Sequence, residues 1–268
     1  VIDIHCHIIP GVDDGSQSLE ESLAIAQIES EGGTRTFITT PHVLDTPDID
    51  RVALFRERLA GLQERLDEAG IPVRLAPGVE LYPFSRALEA MDEGAELGLG
   101  VSQKYVLVDT PFNQFPNDFD SFLFGLQSRG KTAILAHPER SAVFAQEPER
   151  MLEFARRGMV LQVNAGSLRG RYGPVAKAFA ERLLARRLAD LVASDIHHPG
   201  ERPSLGTFVS TMTPEIGEEY VQHLTQTAPQ SVLAGQPLPS RPIAQAEPPK
   251  REGFLQGLFK KRGPEFTF

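Results

Sequence analysis

Val1-Ile2-Asp3-Ile4-His5-Cys6-His7 opens the chain and decides the fold. A short apolar, β-branched run reads as a buried strand, and this one ends on two imidazoles. Six more such runs follow: 36–42 ending on His42, 73–80 on Glu80, 105–109 on Asp109, 132–137 on His137, 159–164 on Asn164, and 190–195 on Asp195 with His197 just beyond. Only the run 159–164 ends without a good metal ligand. Stretches with helical spacing lie between the runs, and that alternation marks an α/β fold with a parallel sheet. In β/α barrels the chemistry sits at the C-terminal strand ends. The expectation is therefore a barrel whose strand ends converge on a cluster of metal ions. Seven β/α units fall one short of the usual eight, which predicts a distorted or incompletely closed (β/α)7 barrel.

Ser18 with Glu21 forms a capping box for a helix that buries Leu19, Leu23, Ile25, Ala26 and Ile28 and ends at Gly32-Gly33. A second helix is expected over 50–69, with Leu54, Leu59, Leu62 and Leu66 inward and Gly70 and Pro72 as stops. Others fit 85–92, 117–128, 148–157, 174–187 and 214–225. From about Ala228 proline recurs and periodicity disappears, the signature of a linker. The expected division is a metal-binding domain over 1–235 and a Pro-rich linker with an apolar, basic tail over 236–268. From Arg241 onward six Arg or Lys stand against three Glu. The segment 253–262 reads either as part of a disordered extension or as a weak anchor for anionic membrane or an acidic partner.

A length of 268 residues suits one α/β domain, and 41% hydrophobic with 24% charged residues is ordinary for a soluble protein. The net charge of -9 argues against nucleic acid as the main partner. No run approaches the roughly 18 apolar residues of a membrane span. The single cysteine, Cys6, excludes an intramolecular disulfide and fits a reducing, cytoplasmic compartment. Composition leaves room for an oligomer.

Residues two apart on a strand share a face, so His5 and His7 can meet one metal while Cys6, a small buried residue, points elsewhere. Asp3 shares that face as a hydrogen-bond partner. Five of the seven histidines sit at predicted strand ends, a concentration that scattered surface histidines would not show. Asp13 or Asp14 adds a carboxylate or merely caps the loop, and His198 and His223 read as surface residues. The candidates are His5, His7, Asp14, His42, Glu80, Asp109, His137, Asp195 and His197. Imidazole and carboxylate without thiolate suit Mn, Fe, Zn or Co. Nine candidates exceed what one ion needs; two or three ions sharing carboxylates would activate water and clamp a phosphoryl group. Arg140, in His-Pro-Glu-Arg, and Arg202, in His-His-Pro-Gly-Glu-Arg, offer planar forks for phosphate oxygens. The plainer reading of each is a surface ion pair with Glu139 or Glu201.

At these motifs the chain resembles the polymerase and histidinol phosphatase (PHP) superfamily, and within it the bacterial capsule and exopolysaccharide tyrosine phosphatases of the CpsB/CapC type. The resemblance rests on residues 3–16, Thr40-Pro41-His42, Gly78-Val79-Glu80, Ala136-His137-Pro138-Glu139-Arg140 and Ser194-Asp195-x-His197, over about 1–235. It implies a PHP-type barrel and three ions, with manganese giving the best activity. One ion would be held by His5, His7, Glu80 and Asp195. A second would share Glu80 and add His137 and Asp109; the third would take Asp14, His42 and His197. Asp109 stands where the family pattern has glutamate, a shorter reach. The resemblance also implies that Arg140 and Arg202 bind substrate phosphate, and that the substrate is a tyrosine autokinase controlling polysaccharide synthesis. Competing readings are a small-molecule phosphomonoesterase of the histidinol phosphatase kind, a nuclease or polymerase-associated domain, and a non-enzymatic metal-binding scaffold.

Overall fold

In the computed structural model, residues 1–200 and 205–242 are described; Arg202 and the tail segment 253–262 lie outside them. Nine strands occur among the described residues: β1 (Ile2–Cys6), β2 (Thr36–Thr39), β3 (His42–Val43), β4 (Arg74–Ala76), β5 (Glu80–Leu81), β6 (Tyr105–Val108), β7 (Thr132–Ala136), β8 (Val160–Asn164) and β9 (Leu191–Ala193). All pair in parallel, in a three-stranded sheet ordered β1-β2-β4 and a six-stranded sheet ordered β3-β5-β6-β7-β8-β9.

The seven predicted runs are all strands, but two are split. Pro41 separates β2 from β3, and Pro77 with Gly78 separates β4 from β5. Proline has no N–H to give a ladder, so pairing lapses there and resumes in the second sheet. Gly78 also suits the break, because a Cβ on it would lie 2.7 Å from the Leu99 side chain and 2.9 Å from that of Ile38, and both would have to shift. The first and last strands meet through His7 N–H to Ile196 O and Asp195 N–H to His5 O, both 2.9 Å. The ladders thus form two parallel sheets joined by short backbone bridges rather than one regular closed sheet.

Interior strand residues Ile4, Ile38, Leu107, Ile134 and Ala193 pack into one cluster with Ala228 and Val232. The helix Ala228–Ala234, ended by Gly235 with φ 66, therefore belongs to the core where the sequence suggested a linker. Pro229 sits at its first turn, where proline is tolerated. The chain stays attached beyond it: Tyr105 donates to Gln236 O, and Arg241 to Leu188 O.

Other helices match expectation with three corrections. In Val52–Glu68 the buried residues are Val52, Phe55, Leu62 and Leu66, while Leu54 is exposed. A helix covers Leu205–Ile216, with Pro214 inside it rather than at a start. Ser18 accepts from Glu21 N as a cap should, but Glu21 accepts from Gln17 N, one residue before the cap. No helix among the described residues is long and apolar enough to cross a membrane.

Candidate metal centre

The pairing of β1 with β2 shifts register between Asp3 and Cys6. The Asp3 carboxylate accepts the backbone N–H groups of His5 and Ser194, at 3.2 and 3.1 Å, and burial pushes its pKa up to about 6. Cys6 is fully buried beside Ile38, and burial pushes its thiol well above its ordinary value. That is the opposite of an activated nucleophile.

After β1 the loop 10–16 folds back over His7. A Cβ on Gly15 would fall 2.2 Å from His7 O, so only glycine allows the loop this close. The fold-back delivers two acids. Asp13 accepts from His7 Nδ1 at 2.8 Å and from the backbone N–H of His42 at 3.2 Å. Asp14, 72% exposed, reaches Nε2 of His42 at 3.3 Å and of His197 at 3.5 Å.

Glu80 stands at the middle, opposite His42 in the β3–β5 register. Its Oε2 lies 3.1 Å from His5 Nε2, 3.4 Å from His7 Nε2 and 3.1 Å from His42 Nδ1; its Oε1 lies 3.1 Å from His137 Nε2. Asp195 Oδ1 is 3.2 Å from His5 Nε2 and 3.5 Å from His7 Nε2. Burial opposes charge on Glu80 and Asp195, yet the imidazoles hold both carboxyls below the usual carboxylate range. Burial also opposes charge on His42, but Asp14 and Glu80 outweigh it and lift its pKa to about 10.

These contacts suit metal ligands better than hydrogen bonds. His5 Nδ1 donates to Gln162 Oε1 and His7 Nδ1 to Asp13, which leaves both Nε2 atoms as lone-pair ends, 3.2 Å apart. Glu80 Oε2 and His42 Nδ1 are buried and within 3.1 Å, yet neither makes a hydrogen bond. Facing lone pairs and carboxylates repel unless a proton or a cation lies between them, and one cation serves several of them at once. Ligands ~2.1 Å from one ion stand roughly 3 Å apart, the spacing seen here. Four sets have ligand atoms within 4.8 Å of one another: His7-Asp14-His42-His197, His5-His7-Glu80, His5-His137-Asp195 and Glu80-Asp109-His137. All nine residues singled out in the sequence thus fall into one continuous cluster. Asp109 stands off furthest, 3.8 Å from His137, as its short side chain dictates. Burial, then Glu80, pushes its pKa up.

His137 and Asp195 carry positive φ, 36° and 52°, at the ends of β7 and β9. Such backbone costs of order 1–2 kcal/mol for a non-glycine residue. Just beyond, Arg140 donates to Asp195 Oδ2 at 2.8 Å, and its guanidinium carbon lies 3.9 Å from the Tyr172 ring and 4.5 Å from the Phe112 ring. An ion pair with Glu139 does not form: Glu139 is buried and accepts from Asn164 N and Ser167 Oγ.

Several contributors were not singled out in the sequence. Gln162 and Asn164 come from β8, the strand without a ligand. Gln162 holds His5, donates to Asn164 Oδ1 at 2.8 Å, and Asn164 donates to Asp195 Oδ2 at 2.7 Å. The signal was present: two polar residues, two apart, in an otherwise apolar run. Phe112 and Tyr172 carry no local signal, because their relation to Arg140 is tertiary.

Residues 1–234 match the family model for capsular polysaccharide synthesis, CpsB/CapC. The chain belongs to the CpsB/CapC family. This CpsB/CapC chain is 32% identical over 229 residues to the tyrosine-protein phosphatase YwqE of Bacillus subtilis, covering 85% of this chain and 90% of that one. It is 29% identical over 212 residues to the tyrosine-protein phosphatase CpsB of Streptococcus pneumoniae, covering 76% and 85%. A chain from the crystal structures of YwqE and CpsB, described as metal-dependent tyrosine phosphatases, superposes with a TM-score of 0.81 at 29% identity, covering 91% of this CpsB/CapC chain and all of that chain. A Listeria monocytogenes lactonase shares the fold at a TM-score of 0.55 and 13% identity.

Proposed function

We propose that this CpsB/CapC chain is a metal-dependent protein-tyrosine phosphatase acting in capsule or exopolysaccharide synthesis, and that its substrate is a bacterial tyrosine autokinase. One observation carries the reading: four ligand sets merge through His5, His7, Glu80 and His137, while Arg140, a phosphate-binding side chain by its chemistry, is fixed to Asp195 at their edge. The relatives named tyrosine-protein phosphatases support it. The ligands are His5, His7, Asp14, His42, Glu80, Asp109, His137, Asp195 and His197, and the preferred ion is manganese. When bound, divalent ions here lower the pKa of water and neutralise charge growing on phosphoryl oxygens.

The protein's own residues do the positioning. Arg140 steadies phosphate oxygens at the edge of the cluster, and Arg202 is the second phosphate-binding arginine that the family resemblance implies. Aromatic rings over the guanidinium limit its movement and shield it from water. Gln162 and Asp13 fix the tautomers of His5 and His7, so both rings present Nε2. The leaving phenolate belongs to a phenol of pKa near 10, so strong proton donation is unnecessary, and buried Cys6 takes no part. The catalytic unit is residues 1–235, with 236–242 held against it, and a reducing cytoplasm suits the lone buried thiol.

The test is phosphate release from a phosphotyrosine peptide after chelation and manganese readdition, with Arg140→Ala alongside. Metal-dependent release, reduced at least a hundredfold in Arg140→Ala, is expected. Turnover of small phosphomonoesters but not of the peptide would move the substrate to a metabolite. Bound metal without turnover of either would make the chain a scaffold.

A further inference from the structure

Phe112 is out of place for a side chain with no role at the surface. It is 43% exposed, although phenylalanine normally buries its ring. Its backbone is nevertheless fixed. The Phe112 carbonyl accepts from Ala142 N at 2.7 Å, and Ser141 Oγ donates to Pro111 O at 3.0 Å. The turn after β6 is thereby tied to the chain following the His-Pro-Glu-Arg turn. The ring lies 4.5 Å from the Arg140 guanidinium carbon and 5.7 Å, centre to centre, from the ring of His137. Holding Arg140 does not depend on Phe112 alone, since Tyr172 lies closer and Asp195 is hydrogen-bonded to it.

We propose that Phe112 is a specificity-determining residue that receives the aryl ring of the phosphoester and so favours phosphotyrosine over alkyl phosphates. The inference rests on the phosphatase reading above. A phosphate lying between Arg140 and His137 carries its ester substituent out past one rim or the other. At the end held by His42 and His197 the rim is the exposed Asp14 carboxylate. At the end held by His137 and Arg140 it is the face of Phe112. An uncharged ring gains by stacking on another ring and gains little beside a polar, metal-binding carboxylate. A serine or threonine ester, with one or two carbons before its backbone, offers Phe112 little area to cover. The discrimination therefore comes from the ring as well as from the better leaving group.

Non-hydrolysable phosphonates separate those two contributions. Competitive inhibition of the manganese-loaded full chain would be measured with phenylphosphonate and methylphosphonate. In the wild type the phenyl compound is expected to bind roughly tenfold more tightly. In Phe112→Ala that ratio should fall to within about twofold, and Phe112→Tyr should restore it. Tyr172→Ala should weaken both compounds alike, because it acts through Arg140. An unchanged ratio in Phe112→Ala, or equal loss of both compounds, overturns the proposal while leaving the phosphatase reading intact. If the wild type turns over no phosphoester and binds neither phosphonate, the phosphatase reading itself has failed.

Discussion

Gln162 touches no candidate ion position, yet it decides how His5 presents itself to one. By accepting the Nδ1 proton it makes Nε2 the lone-pair end, and its own amide is oriented by donation to Asn164. Partners of this kind are typically worth 10–100-fold in metal affinity. Gln162→Leu is therefore expected to weaken manganese binding by about tenfold or more, read by competition with a chromophoric chelator, with an unchanged circular dichroism spectrum. Affinity within a factor of two of wild type would mean that packing alone holds His5. Most of the candidate ligands were legible in the sequence because they stand at or just beyond the end of an apolar run, whereas Asp14 lies on a loop. Their supports were less so: Asp13 could not be separated from Asp14 by spacing, and the backbone N–H groups that Asp3 accepts, those of His5 and Ser194, are set by the fold.

At the scale of elements, strand content followed from the apolar runs, and the splits at Pro41 and Pro77 follow from proline's missing N–H. Leu54 was misplaced because Val52 and Phe55 took the inward stripe of their helix. The helix Leu19–Glu31 carries a buried acid, Glu29, whose Oε2 accepts long hydrogen bonds from Leu205 N and Thr34 Oγ1, both 3.3 Å, while Oε1 has no hydrogen-bond partner among the described residues. Burial, reinforced by Asp3, pushes its pKa from 4.5 up to about 8. Between those values the folded chain keeps a proton that the unfolded chain releases. This group's contribution is thus most favourable below about pH 4.5, falls as pH rises, and levels off above about 8. Urea midpoints at pH 5 and pH 8 should therefore drop less in Glu29→Gln than in the wild type. An equal drop in both would show that Glu29 is ionised in the fold.

For the whole molecule, the cluster gathers buried carboxylates and imidazoles from β1, β3, β5, β7 and the segment after β9, so one centre joins strands of both sheets. Ions held there stabilise only the folded chain. At a thousandfold excess over Kd the linkage is worth ~4 kcal/mol, and a domain of this size moves roughly 2–4 °C per kcal/mol. Chelation is expected to lower Tm by about 10 °C, restored by manganese. A shift below about 2 °C would count against ions resident at the cluster. The left-handed backbone at His137 and Asp195 bears on how this protein can change. Glycine at either position would relax the chain and remove a ligand in the same step. A library screened for heat resistance without metal would drift toward glycine or asparagine at 137 and 195, and its survivors would be sturdier and inert.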